Sequence, residues 1–286
     1  MDAFAHATLP LLIMLAMAVV GLELTTADFR RVLHYPVQVT ASLLAQIALL
    51  PLIGAALIVL LRPEAAVAGG VILVAAAPQA IISNYFCLLG RADVALSVTL
   101  TAISTLLAIV STPLIAGWGF AVLMEPQAGF VLPAASVVKQ VAGGLIAPVA
   151  AGMLVRRVAP GFVERHRTHS KIVSLLAIAG WILLVIASQA DTIRRNLGSI
   201  LTVATLFTVA AATVGLAVAK SLRWPRADVM TVTVGFAARS LSLATLIAVN
   251  VLGRLEFLSF AVTFFLVQVA LIVPAMLLLR PGAGRA

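Results

Sequence analysis

Long apolar stretches separated by short polar ones dominate the chain. Nine of them are long enough to span a bilayer core of about 30 Å, which takes about 20 residues of helix. They run near 7–23, 37–61, 66–89, 92–123, 131–155, 170–190, 197–219, 227–251 and 255–279. The segments between them carry turn residues or charge: DFRRVLHYP, LRPE, LGRAD, MEPQAG, RRVAPGFVERHRTHSK, DTIRRN, KSLRWPRAD and LGRLE. None of these is long enough to be a soluble domain, so residues 1–286 read as a single transmembrane domain. The pattern predicts an all-α polytopic membrane protein of about nine transmembrane helices. The fourth run fits either a strongly tilted helix or one with an extramembrane end at Trp118–Leu123. The first run has no Lys or Arg before it and no small-residue cleavage site after it, so it reads as a retained span.

Composition narrows the class. Hydrophobic residues make up 63% of the chain and charged residues 10%, with a mean hydropathy of +1.17. Soluble domains carry about 25% charged residues. A water-soluble enzyme and a disordered chain are therefore excluded. The single cysteine, Cys87, rules out an intramolecular disulfide. The net charge is +9, but the basic residues fall in ones and twos between apolar runs. That is how topology signals are distributed, not a nucleic-acid surface. Placing the N-terminus outside puts 13 cations in the inside loops, Arg30, Arg31 and Arg285 among them. Only four, Arg62, Arg194, Arg195 and Arg254, then lie outside. The expected orientation is N-terminus out and C-terminus cytoplasmic, in an inner or plasma membrane.

Polar groups inside the spans carry the functional information, because each costs free energy there unless it finds a partner. Gln46 stands alone in an apolar run and reads either as an interhelical hydrogen bond or as a ligand. In AAAPQAIISNYF, Pro78 removes a backbone donor in mid-span, and Gln79, Ser83 and Asn84 follow at once. This fits a broken helix at a transport site or a plain proline kink. Ser97 and Thr101 share one helix face, where hydroxyls serve either a cation or ordinary packing. In VTVGFAARSLSLA, Gly235 can interrupt the helix and Arg239 lies well inside the span. All ten acids fall at or beyond span ends, so this guanidinium has no intramembrane carboxylate in the sequence and invites an anionic ligand. Lys139 is the other intramembrane cation, with snorkelling to the interface as the plain reading. No HExxH, P-loop, GxSxG or Cys/His cluster is present, and an enzyme is not expected.

These stretches, together with GLELTTADFRRVLHYP and GRADVALSVTLTAISTLL, resemble the bile acid:sodium symporter family. The resemblance covers most of the chain. It implies an inverted-repeat transporter with two discontinuous helices that cross, one broken at Pro78 and the other within the eighth run. By resemblance, Ser83, Asn84, Ser97 and Thr101 match oxygen ligands of one sodium ion, and Gln46 a ligand of the other. Pro78, Gln79, Gly235, Arg239, Ser240 and Lys139 become candidates for binding substrate. Two departures stand out. The family's Pro-Gly-Gly reads Pro78-Gln79-Ala80, and Gly235 occupies the place of its acidic residue, with Arg239 at Gln/Arg and Ser240 at Asn. Losing the carboxylate and presenting a fixed cation implies that Arg239 supplies charge that sodium supplies in relatives, and the expected function is a secondary transporter working by alternating access with altered or lost sodium coupling. The implied partners are the lipid bilayer and a small organic anion such as a bile acid or steroid conjugate, a pantoate-like acid or a keto acid. Nucleic acid is excluded, and no cofactor is implied beyond sodium itself. An ordinary sodium:anion symporter and a transport-inactive ligand sensor or scaffold stand as alternatives.

Overall fold

Backbone polar groups in a bilayer can hydrogen-bond only to protein, and a helix satisfies them within one segment. The computed structural model describes residues 2–26, 30, 33, 35–124 and 132–280, and these are almost wholly helical. Parts of DFRRVLHYP and MEPQAG, and the expected inside cations Arg31 and Arg285, lie outside the described residues. In chain order the helices are α1 (Asp2–Glu23), α2 (Pro36–Leu61), α3 (Ala65–Ala76), α4 (Ile82–Gly90), α5 (Val94–Leu123) and α6 (Ala134–Val158). Then come α7 (Pro160–Arg165), α8 (Arg167–Ser188), α9 (Ala190–Ser221), α10 (Arg226–Ala237), α11 (Leu241–Asn250) and α12 (Leu258–Leu278). Among the described residues, seven helices are long and apolar enough to cross a membrane: α1, α2, α5, α6, α8, α9 and α12.

The runs at 66–89 and 227–251 are not continuous helices. Each is a pair of short helices, α3 with α4 and α10 with α11. Pro78 explains the first break: Ala77 before it is extended, at φ −71° and ψ 152°. The second break, at Ala238 to Ser240, contains neither proline nor glycine. Gly235, expected to interrupt the helix, stays inside α10, and the break follows at Ala238–Ser240, where the backbone pairs with the first break instead. Two smaller differences concern the edges. α9 begins at Ala190, so DTIRRN is helical and Arg194 and Arg195 stand in its first turns, not in a loop. Trp118–Leu123 completes α5, which runs 30 residues without a break.

α1 packs most closely on α6 and α8, while α9 packs on α10, α12 and α2. Two of the half-helices are enclosed along most of their length: α3 is buried from Val67 to Ala76 and α11 from Ser242 to Val249. The long helices instead present leucines outward, as at Leu44, Leu60, Leu114 and Leu183. This is the surface that lipid tails solvate.

The α1–α6 contact is backbone against backbone. A Cβ on Gly152 would run into the Ala18 carbonyl oxygen and stand 2.8 Å from Gly21 Cα. Small residues allow such close approach. Arg156 strengthens the contact by donating Nη1–H to the Leu22 carbonyl at 2.7 Å, at the end of α1. Gly152→Ala is therefore expected to force the helices apart and destabilise the fold by about 1–3 kcal/mol. Gly117→Ala, where a Cβ meets nothing within 4 Å, serves as the control. Thermal unfolding in detergent checks this: equal midpoints for the two variants would refute the packing argument.

Candidate functional site

A helix that stops inside a protein leaves carbonyls without partners at one end and N–H groups at the other. At the two breaks these groups find each other. Gln79 and Arg239 form an isolated antiparallel bridge. Ala80 N–H donates to the Ala238 carbonyl and Ser240 N–H to the Pro78 carbonyl, both at 2.9 Å. The Thr112 hydroxyl donates to the Ala76 carbonyl at 2.9 Å, and Arg239 Nη2–H donates to the Ala77 carbonyl. The carbonyls of Ala76, Ala77, Pro78 and Ala238 are thus all engaged, and the breaks are fastened to one another.

Arg239 ties this arrangement together. It is only 5% exposed. Its Nη1–H donates to Gln46 Oε1 at 2.7 Å, and its backbone N–H to Gln268 Oε1 at 3.3 Å. The guanidinium therefore spans from the second break to α2 and the end of α3. The sequence suggested a guanidinium free to grip an anion with both terminal nitrogens. Both are instead engaged by protein oxygens, because folding brings Gln46 and the Ala77 carbonyl to it. Gln46 is correspondingly engaged by a cation belonging to the chain itself. Gln268 had the same signal as Gln46, an amide in an apolar run, and was not singled out. The Ala77 carbonyl had no sequence signal at all.

The other predicted oxygens do come together. Ser83 Oγ lies 3.2 Å from Ser97 Oγ. Ser97 donates to Asn84 Oδ1 at 2.7 Å. Thr101 donates to the Ser97 carbonyl at 2.9 Å and stands 3.5 Å from Asn84 Oδ1. Asp93, the N-cap of α5, accepts from Leu96 N–H at 2.9 Å and so fixes the start of the helix that carries Ser97 and Thr101. Gln79 joins the cluster by donating Nε2–H to Ser83 Oγ at 2.9 Å. Its amide lies flat on Gly235, where a Cβ would be 2.5 Å from Gln79 Oε1. Any side chain at 235 would displace it. Among the described residues, no group of three or more His, Cys, Asp and Glu side chains converges as a metal site.

A cavity of about 610 Å³ adjoins the breaks, lined from α1, α4, α8, α11 and α12. Its wall is mostly apolar, with Met17, Phe86 and Trp181 among its members. The first residues of α4 and α11, Ile82 and Leu241, both face it, beside Arg239, Ser240 and Gln268. Neither helix has a side-chain cap on its first turn. Lys139 belongs elsewhere: it is exposed near the start of α6, where its stem can reach an interface, and it does not line this cavity.

Comparison with known proteins follows the same lines. Residues 10–196 match the family model described as Sodium Bile acid symporter family. The "Probable sodium/metabolite cotransporter BASS2, chloroplastic" of Oryza sativa subsp. japonica is 29% identical over 230 residues, 80% of this chain and 53% of its own length. The "Uncharacterized sodium-dependent transporter YocS" of Bacillus subtilis (strain 168) is 28% identical over 176 residues, 62% of this chain and 53% of its own. The "Probable sodium/metabolite cotransporter BASS1, chloroplastic" of Arabidopsis thaliana is 38% identical over 95 residues, 33% of this chain and 24% of its own. The chain spans about half the length of the first two relatives.

The contact between Gln79 and Gly235 is testable on its own. Gly235→Ala is expected to push Gln79 off Ser83 and destabilise the fold. With Gln79 already replaced by Ala, the same change is expected to cost about 1 kcal/mol less. A double-mutant cycle on unfolding free energy measures this, and strict additivity would show that the two residues are not coupled.

Proposed function

The chain belongs to the sodium bile acid symporter family, and on that premise we propose that it is a secondary transporter of small organic anions in which Arg239 permanently takes the place of one coupling cation. The reading counts nine membrane crossings, seven long helices and two broken pairs, arranged as an inverted repeat. The N-terminus lies outside and the C-terminus in the cytoplasm of an inner or plasma membrane. Transport proceeds by alternating access, with the layer of α1, α6 and α8 moving against the rest, and involves no covalent chemistry.

The observation that carries the proposal is the guanidinium on Gln46 and the Ala77 carbonyl. Oxygens at the C-terminal end of a half-helix suit a cation, since the helix dipole places about half a negative charge there. Gln46 is the residue that the resemblance assigns to the second sodium. With Arg239 in place, a sodium ion beside it would face like-charge repulsion of about 4 kcal/mol at 4 Å and an effective dielectric of 20. No family carboxylate offsets it, because position 235 is glycine. One ion is thus displaced by a tethered one, and a single sodium is left to Ser83, Asn84, Ser97 and Thr101.

The substrate end has the opposite polarity. Two helix N-termini without side-chain caps open on one cavity, and their dipoles place about one positive charge between them. A carboxylate placed there is received by α4 and α11, with the Arg239 charge close behind. The apolar wall suits the body of a drug-sized organic acid. The named functions of the relatives, sodium/metabolite cotransport and sodium-dependent transport, support the same class.

Uptake of labelled monocarboxylates into proteoliposomes is the test. The wild type is expected to respond hyperbolically to sodium, as one ion per turnover requires. Arg239→Gln is expected to cut uptake at least about tenfold, the effect of about 1.4 kcal/mol. A sigmoidal sodium response that survives the substitution would restore the ordinary two-sodium symporter. Saturable ligand binding with no flux would point to a sensor.

A further inference from the structure

Gln79 stands at the meeting point of the two breaks, and its side chain is not fully satisfied. It is 1% exposed. Its Nε2–H serves Ser83, but its Oε1 has no hydrogen-bond partner among the described residues. A buried carbonyl oxygen left unpaired costs about 1–3 kcal/mol. The bond to Ser83 uses only the nitrogen of the amide, and its oxygen is left without a partner against Gly235.

We propose that Gln79 is a sodium ligand, whose side-chain carbonyl completes the oxygen set of Ser83, Asn84, Ser97 and Thr101. The proposal rests on the transporter reading above and specifies its remaining cation site. In the ion-free arrangement, hydrogen bonds run from Gln79 to Ser83 and from Ser97 to Asn84, joined by the 3.2 Å contact between the two serines. That order is the wrong one for a cation, because an amide N–H points into the oxygen cluster. A half-turn of the terminal amide exchanges Nε2 for Oε1. The torsion involved is soft and roughly two-fold, so both settings fit the same side-chain envelope. Turning the amide gives up one neutral hydrogen bond to Ser83 and gains a contact between a carbonyl dipole and a full charge. Interactions with an ion are about twice as strong as neutral hydrogen bonds. The amide therefore turns when sodium arrives and turns back when it leaves.

The geometry also says why position 235 is glycine. A Cβ there would stand 2.5 Å from Gln79 Oε1 and 3.1 Å from Nε2, so the amide could neither lie in its present place nor rotate. Gln79 also lines a cavity of about 110 Å³ together with Thr101 and Ser240. A ligand set of amides and hydroxyls has no carboxylate, so its sodium affinity depends on each neutral oxygen.

Sodium binding to the purified full-length chain tests this without any transport step. Radioactive sodium and equilibrium dialysis in potassium-free choline buffer give the affinity directly. Gln79→Leu keeps the volume and removes the oxygen, and is expected to weaken sodium binding at least about tenfold. Gln79→Glu supplies a carboxylate and is expected to tighten it by a similar factor. The two variants moving in opposite directions separates a ligand from a packing residue, and unfolding midpoints in choline verify that both are folded. If Gln79→Leu fails to fold, the Glu variant decides alone. Sodium affinity unchanged in the folded variants, or no saturable sodium binding by the wild type, would overturn the proposal. Absent flux with the expected binding pattern would overturn the transporter reading and leave the sodium site standing.

Discussion

Two helices end inside the membrane domain, and hydrocarbon offers no hydrogen bonds to the groups they expose. Every other feature of the centre follows from how that problem is solved. Ala80 with Ala238 and Ser240 with Pro78 pair the two breaks as a two-bond strand contact. Thr112 and Arg239 take the carbonyls that the pairing leaves over. The second break contains neither proline nor glycine, and its backbone groups are satisfied by the first. Each break supplies the partners that the other needs.

This solution creates a polarity. On one side of the breaks lies the C-terminal end of α3, which favours a cation, and the chain places its own guanidinium there. On the other side lie the N-terminal ends of α4 and α11, which favour an anion and open on the 610 Å³ cavity. The family resemblance implies an acidic side chain where this chain has Gly235. Here Gly235 and Gln79 are the departures, and they touch each other, while Arg239 keeps a residue type that the resemblance allows. Glycine makes room for the amide, and the arginine occupies Gln46 and the Ala77 carbonyl, which is why we propose that one ion is replaced.

Much of this was legible in the sequence. Hydrophobic periodicity located the long helices within a few residues, because bilayer thickness sets their length. Pro78 announced the first break through its missing N–H. Arg239 announced itself as a charge far from either end of its run. The partner of Arg239 was the misjudged point. A sequence scan looks for a carboxylate to match a guanidinium, whereas the protein uses an amide and a backbone carbonyl, and the carbonyl has no sequence signature. The start of α9 was also misjudged, because Arg194 and Arg195 look like loop residues although the helix carries them outward. Lys139 shares the charge of Arg239 but not its role. Near the start of α6 it is exposed and can reach an interface, and it does not line the cavity.

The central claim is that Arg239 is a resident cation that replaces one mobile ion. Charge movement during turnover tests it most directly. Capacitively coupled current from proteoliposomes on a solid support reads the net charge carried with each monoanion. One sodium per monocarboxylate is electroneutral, so the account predicts sodium-dependent uptake with no substrate-induced current. A positive inward current coupled to sodium would mean that two ions travel with each substrate, and Arg239 would then not occupy the place of either.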